Sequence, residues 1–408
     1  MDVLYQRCAG LDVHKDTVVA CARIMTRGEV ARTVRSFATT TSGLLVLADW
    51  LSEHGCTHVA MEATGVYWKP VWHVLEESFA LSLANAAHVK NVPGRKTDVN
   101  DATWLGELLA HGPIRASFVP ERPTQELRAL LRTRKQLVRE QVSHVQRVHK
   151  TLEDANIKLA SVLSDIVGMS GRAMLRALIA GETDPVVLAG LAHRRVKAGR
   201  QELVEALRGD VRPHHRFLLA LHLRQIDGLD EAIMAVDRQI DEQLAPFRRA
   251  VELLTSIPGV SALSACSIVA EIGTDMARFA DAGHLVSWAG MCPRNDESAG
   301  KRRSTRLRRG NPWLKTVLVQ CAWAASRAKL TYLQAQFHRL RARRGAKKAI
   351  CAVAASILTA VYHMLRDGTL YRDLGPDHLR PASPDHLARK LVRTLNNLGF
   401  HVELTAAA

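Results

Sequence analysis

Short apolar runs separated by polar turns open the chain and predict β-strands. Residues 8–13 and 17–24 are rich in small and β-branched side chains and are joined by the polar turn 14–16, and a similar run follows at 31–38. This spacing predicts a three-stranded antiparallel meander. The apolar period then changes to three and four, which predicts helices alternating with strands. The predicted elements are a helix at 42–54, a strand at 57–63, a helix around 68–77, a strand at 80–89 and a further helix.

Two of these apolar runs each carry one acidic residue, Asp12 in the first strand and Glu62 in the fourth. An uncompensated charge in such a run would be costly, so a cation is expected beside them. The order βββαβαβ is that of a ribonuclease-H-like (resolvase-like) fold, in which acids of the first and fourth strands lie close together and a late helix supplies the last ones. Asp98 and Asp101 lie one helical turn apart, with Thr97 as an N-cap, and fit that helix.

The four acids together predict one hard-oxygen site suited to Mg²⁺, which points to phosphodiester chemistry. The alternative is that each acid caps a helix or pairs with a basic side chain. The neighbouring histidines His14, His88 and His149 are interpreted as ordinary polar residues rather than ligands.

Apolar side chains recur every three or four residues at 124–159 and again at 219–244, which predicts two long helices pairing as a coiled-coil arm. Short helices are expected between them, at 161–212. We therefore expect an α/β plus α protein with a helical C-terminal domain. The predicted segments are 1–120 for the ribonuclease-H-like domain, 121–250 for the arm, 251–370 for the helical domain and 371–408 for the tail.

Charge is distributed unevenly along the 408 residues, whose formal net charge is +16. Residues 1–120 hold 11 basic and 12 acidic side chains, so the remaining 288 carry +17. Such an excess suits a partner with many phosphates, although a merely soluble basic surface is the alternative. The seven cysteines are scattered without a Cys-x-x-Cys pair and predict reduced thiols. No signal segment opens the chain, and the uncharged stretch 349–365 is short for a membrane span, so a cytoplasmic protein without a membrane partner is expected.

A second candidate site lies at 290–312, where glycines flank a short polar segment containing Ser298. Arginine forks bind phosphate, and a small loop allows close backbone approach, so Ser298 is a candidate nucleophile beside a clamped phosphate. The alternative is a polar loop residue beside a solvated basic face. Six of the nine residues at 301–309 are basic, and all six are candidate phosphate ligands: Lys301, Arg302, Arg303, Arg306, Arg308 and Arg309.

The segment 257–260, Ile-Pro-Gly-Val, precedes a helix of small residues and is similar to a helix-hairpin-helix turn. In such a turn the backbone N–H groups around Gly259 would bind a DNA phosphate without reading bases. An ordinary Pro-Gly turn between packed helices is the alternative. Trp288, Trp313 and Trp323 are assigned to packing.

These motifs together resemble the insertion-sequence transposases with an Asp-Glu-Asp-Asp nuclease-like domain, a family that includes bridge-RNA-guided recombinases. The resemblance rests on five motifs and covers nearly the whole chain. They are GLDVHK at 10–15, MEATG at 61–65, KTDVNDA at 96–102, IPGV at 257–260, and ESAGK at 297–301 with RGN at 309–311. Some relatives carry Gly where this chain has Ala299.

The resemblance implies that Asp12, Glu62, Asp98 and Asp101 form an Mg²⁺-binding tetrad and that Ser298 is a covalent nucleophile. It also implies DNA cleavage and rejoining through a phosphoserine, with donor and target DNA chosen by a structured non-coding RNA. A homo-oligomer is expected, a dimer or a tetramer on DNA. The long arm between the two sites motivates the hypothesis that the tetrad of one subunit meets Ser298 of another, with assembly within one subunit as the alternative. The alternatives are an Mg²⁺-dependent junction endonuclease that uses water, and a non-catalytic nucleic-acid-binding protein.

Overall fold

A computed structural model describes most of the chain and divides it into two compact units, Met1–Val119 and Pro120–Ala408. The described residues are 3–63, 65–85, 89, 101–112, 114, 116–294, 296–304, 306–379 and 384–404. Thr97, Asp98 and His88 lie outside them.

The described residues of the first unit include a five-stranded sheet with helices on both of its faces. Its elements are β1 (Arg7–Val13), β2 (Thr17–Thr26), β3 (Glu29–Ala38), α1 (Thr41–Glu53), β4 (His58–Glu62), α2 (Trp68–Leu75), β5 (Ala80–Ala84) and α3 (Asp101–His111). The order βββαβαβ predicted from the hydrophobic pattern is therefore confirmed. The ribonuclease-H-like assignment stays a prediction.

The strands lie in the order β3-β2-β1-β4-β5, with β1 antiparallel to β2 and parallel to β4. Alternate residues of β1 face opposite sides of this sheet, and Leu11 packs into a core with Leu44, Leu47 and Leu51 of α1. The N-cap Thr40 starts α1 by accepting a hydrogen bond from the Gly43 N–H at 3.3 Å. One face of the sheet is thereby covered, and α3 covers the other.

The fifth strand is shorter than the sequence pattern indicates. It ends at Ala84 rather than at residue 89, and the Val89 N–H donates to the Asn85 carbonyl at 3.0 Å. That i to i−4 bond is helical, so the chain leaves the sheet after Ala84. An apolar run alone does not fix the residue at which a strand ends.

The second unit is mainly helical. Its elements are α4 (Arg122–Asp154), α5 (Leu159–Val162), α6 (Met169–Ala180), α7 (Pro185–Gly190), α8 (Arg200–Ala206), α9 (Pro213–Gln243), α10 (Arg248–Thr255), α11 (Ala262–Ile272), α12 (Ala282–Trp288), β6 (Asp296–Ser298), β7 (Lys301–Ser304), α13 (Pro312–Ala325), α14 (Tyr332–Arg344), α15 (Ala346–Asp367) and α16 (Pro384–Asn397). The four-segment division at 120, 250 and 370 stays a prediction.

The long helices α4 and α9 pack against each other, but polar pairs hold the middle of the arm. The Arg134 guanidinium binds Asp237 with contacts of 2.5 and 3.0 Å, and His144 Nδ1 lies 3.2 Å from His222 Nδ1. Val142, expected in the apolar stripe, is 47% exposed. The continuous apolar seam of a coiled coil is thus interrupted there. The short helices α5 to α8 form their own core with the tips of both long helices.

Helix α15 lies at the centre of the C-terminal core. Among the described residues it is the one helix long and apolar enough to cross a membrane by length and composition, and half of its apolar stretch is buried inside the protein. Val353, Ala354, Ile357 and Leu358 are fully buried. Packing of the core therefore explains its apolar character. The cytoplasmic location stays a prediction.

Candidate active site

Asp12 and Glu62 lie side by side at the edge of the sheet that is formed by the carboxyl ends of β1 and β4. Leu11 of β1 pairs with Met61 of β4 in parallel register, and each acid follows directly. Neighbouring strands lie about 4.8 Å apart, so the two Cα atoms are adjacent.

Both acids also face the same side of the sheet, the side covered by α3. The Cys8 thiol donates to the Gly106 carbonyl at 3.6 Å, which places Cys8 on that side. Side chains two residues apart on a strand share a face, so Asp12 lies there too. Ala60 packs in the same cluster as Cys8, and Glu62 follows two residues later.

The N-terminal end of α3 brings Asp101 to the same edge. A Cβ added at Gly10 would lie 2.1 Å from the Ala102 carbonyl oxygen and 2.3 Å from the Gly106 N atom, so α3 lies directly on β1. The Leu4 N–H contacts the Ala110 carbonyl, so α3 runs antiparallel to β1 and begins near its carboxyl end. Asp101 is the first residue of α3.

All three carboxylates are at least partly accessible to solvent. Asp12 is 23% exposed, Glu62 is half-buried and Asp101 is exposed. Asp98, the fourth predicted acid, lies outside the described residues. Carboxylates grouped at one edge are the donor set that a hard divalent cation prefers.

His14 is a neighbour of this edge that the sequence interpretation treated as an ordinary polar residue. Its Nε2 lies 3.2 Å from Oδ2 of Asp12. The spacing of two residues along the strand direction was the signal for that contact, because residues 12 and 14 share a face.

An ion network around the buried Arg23 fixes α3 to the sheet. Glu107 accepts from Arg23 Nε at 3.0 Å and from Arg32 at 2.9 Å, and His111 Nε2 lies 3.1 Å from its other oxygen. Burial would raise the pKa of Glu107, but the hydrogen bonds from Arg23 and Arg32 outweigh it and lower that pKa to about 2. Arg23 is only 2% exposed. The network therefore helps to hold the helix that presents Asp101.

Ser298 lies at the end of a two-stranded hairpin rather than in the loop that the sequence pattern indicated. It pairs with Lys301 across a two-residue turn. Ala299 and Gly300 have φ values of +50° and +74°, as a type I′ turn requires. Ser298, Ala299, Gly300 and Lys301 are all exposed, so the hydroxyl is open to a large substrate.

The base of the hairpin is held by close backbone contacts. The Arg294 N–H donates to the Arg306 carbonyl at 2.9 Å. A Cβ at Gly310 would lie 2.2 Å from the Ala289 carbonyl oxygen, so only glycine fits there. Of the predicted phosphate ligands, Arg302 and Arg303 lie within β7, and the side chains of Lys301, Arg306, Arg308 and Arg309 are exposed.

Gly259 is explained by packing. Its φ is +87°, and a Cβ there would lie 2.4 Å from the Ala325 N atom and 2.6 Å from the Cys321 carbonyl oxygen of α13. Ser261 then caps α11 by accepting from the Ser264 N–H at 3.3 Å. This geometry favours the turn between packed helices, and phosphate binding by Gly259 stays a prediction.

A buried carboxylate that the sequence analysis missed joins the arm to the C-terminal core. Glu271 of α11 is 5% exposed and accepts two hydrogen bonds from Arg132 of α4, at 2.9 and 2.8 Å. It also accepts from Asn311, whose Oδ1 caps α13. Trp313 packs beneath Arg132 and Lys135, each 5.3 Å from its ring centre. Trp313 therefore has the packing role assigned from the sequence, and its cationic partners were not apparent from the sequence alone.

Asp154, His214 and His215 form a cluster with the spacing of metal ligands. His215 Nδ1 accepts the Arg212 N–H at 3.1 Å, so its Nε2 carries the proton and donates to Asp154 at 2.8 Å. That hydrogen bond lowers the pKa of Asp154. These hydrogen bonds fix the start of α9.

The free cysteines agree with the reduced thiols expected from the sequence. Five of the seven are buried, and Cys292 and Cys351 are half-buried. Burial raises the pKa of Cys8 to about 12 and that of Cys266 to about 11, which leaves these thiols unreactive.

Comparison with known proteins gives these two sites a context. Residues 9–157 match a sequence model of DEDD-type transposases of the IS110 group, and residues 251–338 match one described as a transposase of the IS116/IS110/IS902 family. The first match includes Asp12, Glu62, Asp98 and Asp101, and the second includes Ser298. The chain belongs to the IS116/IS110/IS902 transposase family. The resemblance inferred from the sequence motifs is thereby confirmed.

Relatives of similar length support the assignment across most of the transposase. The transposase for insertion sequence element IS1111A of Coxiella burnetii is 26% identical over 378 residues, covering 89% of this chain and 90% of its own. The uncharacterized 43.6 kDa protein of insertion element IS110 of Streptomyces coelicolor is 27% identical, covering 70% and 74%. An IS116 protein of Streptomyces clavuligerus is 26% identical, covering 73% and 81%. Membership implies a DNA-cutting and rejoining enzyme.

Proposed function

We propose that this transposase cuts DNA with Ser298 as a covalent nucleophile and that Asp12, Glu62, Asp98 and Asp101 hold Mg²⁺. The observation that carries the proposal is the arrangement of Asp12, Glu62 and Asp101 on one face, at one edge of the sheet. Asp98 lies three residues before Asp101, a spacing that would extend the same set.

The donor set fits a hard cation. Carboxylate oxygens that are partly exposed can bind Mg²⁺ while leaving positions for phosphate oxygens. His14, 3.2 Å from Asp12, would orient that carboxylate from its outer side. Bound there, Mg²⁺ would supply charge stabilisation to the phosphate undergoing transfer.

The proposed cleavage is a transesterification at Ser298. The Oγ atom attacks phosphorus, and the bond from phosphorus to the 3′ oxygen breaks. The serine hydroxyl gives up its proton, and the departing 3′ oxygen takes one up. The products are a 5′-phosphoserine link and a free 3′-hydroxyl. Attack of a 3′-hydroxyl on the phosphoserine reverses the step and rejoins DNA without an energy source. Lys301, opposite Ser298, and the exposed arginines at 306, 308 and 309 would hold the phosphate.

We extend the proposal to the nucleic-acid partners. A structured non-coding RNA would select donor and target DNA by base pairing, while the protein holds backbone and shape. The charge of +17 on residues 121–408 supports binding of both nucleic acids.

The subunits are proposed to assemble as a dimer, and as a tetramer on DNA, with the tetrad of one copy serving Ser298 of another. Mixing two inactive variants, Asp12→Asn and Ser298→Ala, tests this arrangement. Activity regained in the mixture supports assembly in trans, and a mixture as inactive as either variant contradicts it.

A denaturing gel tests the chemistry. Purified protein, its co-purifying RNA, end-labelled DNA of the element ends and Mg²⁺ should give labelled DNA attached to protein. Ser298→Ala should abolish this adduct, whereas Ser304→Ala in the same hairpin should retain it. DNA cleaved without any adduct and unaffected by Ser298→Ala would instead indicate an endonuclease that uses water.

A further inference from the structure

A groove of about 860 Å³ lies between the base of the Ser298 hairpin and the first turns of α15. Its floor is made of small or apolar side chains, and its rim carries four basic side chains without any carboxylate. The floor includes Met291, Cys292, Leu307, Cys351, Ala352 and Ala355. The rim consists of Arg294, Arg344, Lys347 and Lys348.

The two lysines of this rim are unfavourably placed within the fold. Lys347 and Lys348 lie in the first turn of α15, where the helix dipole disfavours cations. All four side chains are exposed, and within the described residues none of them forms an ion pair. A bound anion would offset the unfavourable dipole and the mutual repulsion of these cations, so the rim suits a negatively charged ligand.

The shape and polarity of the groove restrict that ligand further. The volume lies in the range of sites that enclose compact organic groups. An apolar floor suits the face of a nucleobase, and a cationic rim suits the phosphates beside it. A base stacked inside a duplex cannot enter such a groove, so the matching ligand is an unpaired nucleotide.

The groove also lies next to the proposed chemistry. Arg294 pairs with Arg306 at the hairpin base, four residues before Ser298, a span of at most about 14 Å. We propose that this groove binds unpaired nucleotides of the DNA strand that Ser298 attacks, with bases on the floor and phosphates on the rim. This inference rests on the proposed function and names a binding site for its DNA substrate.

The two half-buried cysteines provide a direct probe. Cys292 and Cys351 both line the groove, whereas the other five cysteines are buried. Alkylation of the full-length protein with iodoacetamide, followed by mass spectrometry of each site, measures their accessibility. A twelve-nucleotide single-stranded DNA should slow modification of Cys292 and Cys351 at least fivefold, and the same sequence as a duplex should not. Equal protection by the duplex, or stronger protection by an RNA of the same sequence, would overturn the proposal.

Rim variants provide a second measurement. In fluorescence anisotropy, Lys347→Gln combined with Lys348→Gln should weaken binding of the single-stranded DNA about tenfold. Loss of two phosphate contacts should also reduce the salt slope by about 1.4. The matched control is Arg341→Gln combined with Arg343→Gln, because both arginines are exposed at the same helix junction but do not line the groove. Equal losses in both pairs would show general charge attraction and contradict a specific groove.

Failure of this proposal is distinguishable from failure of the proposed function. Protection of the cysteines needs no cleavage, so it should persist in Ser298→Ala. A covalent adduct without cysteine protection would support the serine mechanism and contradict nucleotide binding in the groove. Cysteine protection without an adduct would support binding in the groove and contradict the serine mechanism.

Discussion

Asp12 and Glu62 lie at the ends of strands whose central residues are buried, whereas Ser298 ends a three-residue strand at an exposed turn. The positions of the acids are consequences of core packing, since the same contacts that bury Leu11 and Met61 set their neighbours. The position of Ser298 depends on one turn and on the contacts at the hairpin base. Substitutions near the acids should therefore act through folding stability, and substitutions near Ser298 through local conformation.

The comparison is tested most strongly at Asp12. Asp12→Asn removes one charge from the carboxylate edge and should lower DNA cleavage by at least about 10²-fold, because a metal contributes several kcal/mol to charge stabilisation. The control is Asp16→Asn, an exposed acid in the turn after β1. Adduct yield and thermal unfolding should be measured together. Cleavage equal to wild type would remove Asp12 from the proposed metal site.

Glu107 should have the next largest effect, measured as folding stability. Glu107→Gln leaves the buried Arg23 without its carboxylate and should destabilise the first unit by about 3 kcal/mol. The exposed Glu29→Gln serves as the control and should change stability by less than about 0.5 kcal/mol. Urea unfolding followed by the fluorescence of tryptophans in the first unit would measure both. Similar losses in the two variants would show that the Glu107 network contributes nothing specific.

The same variant has a defined pH dependence. The folded-state pKa of Glu107 lies at about 2, below its ordinary value of 4.5, so its stabilisation is present in full above 4.5 and is lost as pH falls towards 2. The stability gap between wild type and Glu107→Gln should therefore be constant at neutral pH and narrow below pH 4.5. A gap that widens on acidification would contradict the network.

Gly10→Ala tests the contact between α3 and β1. The added methyl group would meet the Ala102 carbonyl at 2.1 Å, so the helix must shift, at a cost of about 2 kcal/mol. Gly228→Ala, where a Cβ meets nothing within 4 Å in the middle of α9, should be neutral or stabilising. Thermal unfolding distinguishes the two, and a neutral Gly10→Ala would refute the close approach that places Asp101.

The smallest effect is expected at the hairpin. Ala299 has a left-handed backbone conformation, so Ala299→Gly should stabilise the turn by about 1 kcal/mol. Amide exchange of β6 and β7 should slow while the global unfolding temperature stays unchanged. A shift of the global transition would show that the hairpin is coupled to the core more tightly than its exposure indicates.

Sequence alone predicted what local pattern controls. The apolar pattern was sufficient for the order of strands and helices along the first unit, and the acids at 12 and 62 stood out because they interrupt apolar runs. The hairpin at 296–304 was interpreted as a loop, because its short, charged strands lack that alternation. Glu271 was missed for another reason: its partner Arg132 lies 139 residues earlier, and only the tertiary fold brings the two together.

That pairing anchors the long helix α4 near its start. Helix α4 is about 50 Å long. Arg132 binds Glu271 about 15 Å from the start of α4, so roughly 33 Å of the helix extends beyond this contact. Glu271 also accepts a hydrogen bond from Asn311, which lies two residues after the arginine-rich segment that follows Ser298. Glu271 thus joins the long helix directly to Asn311, so a displacement of α4 at Arg132 would reach the base of the segment that carries the serine.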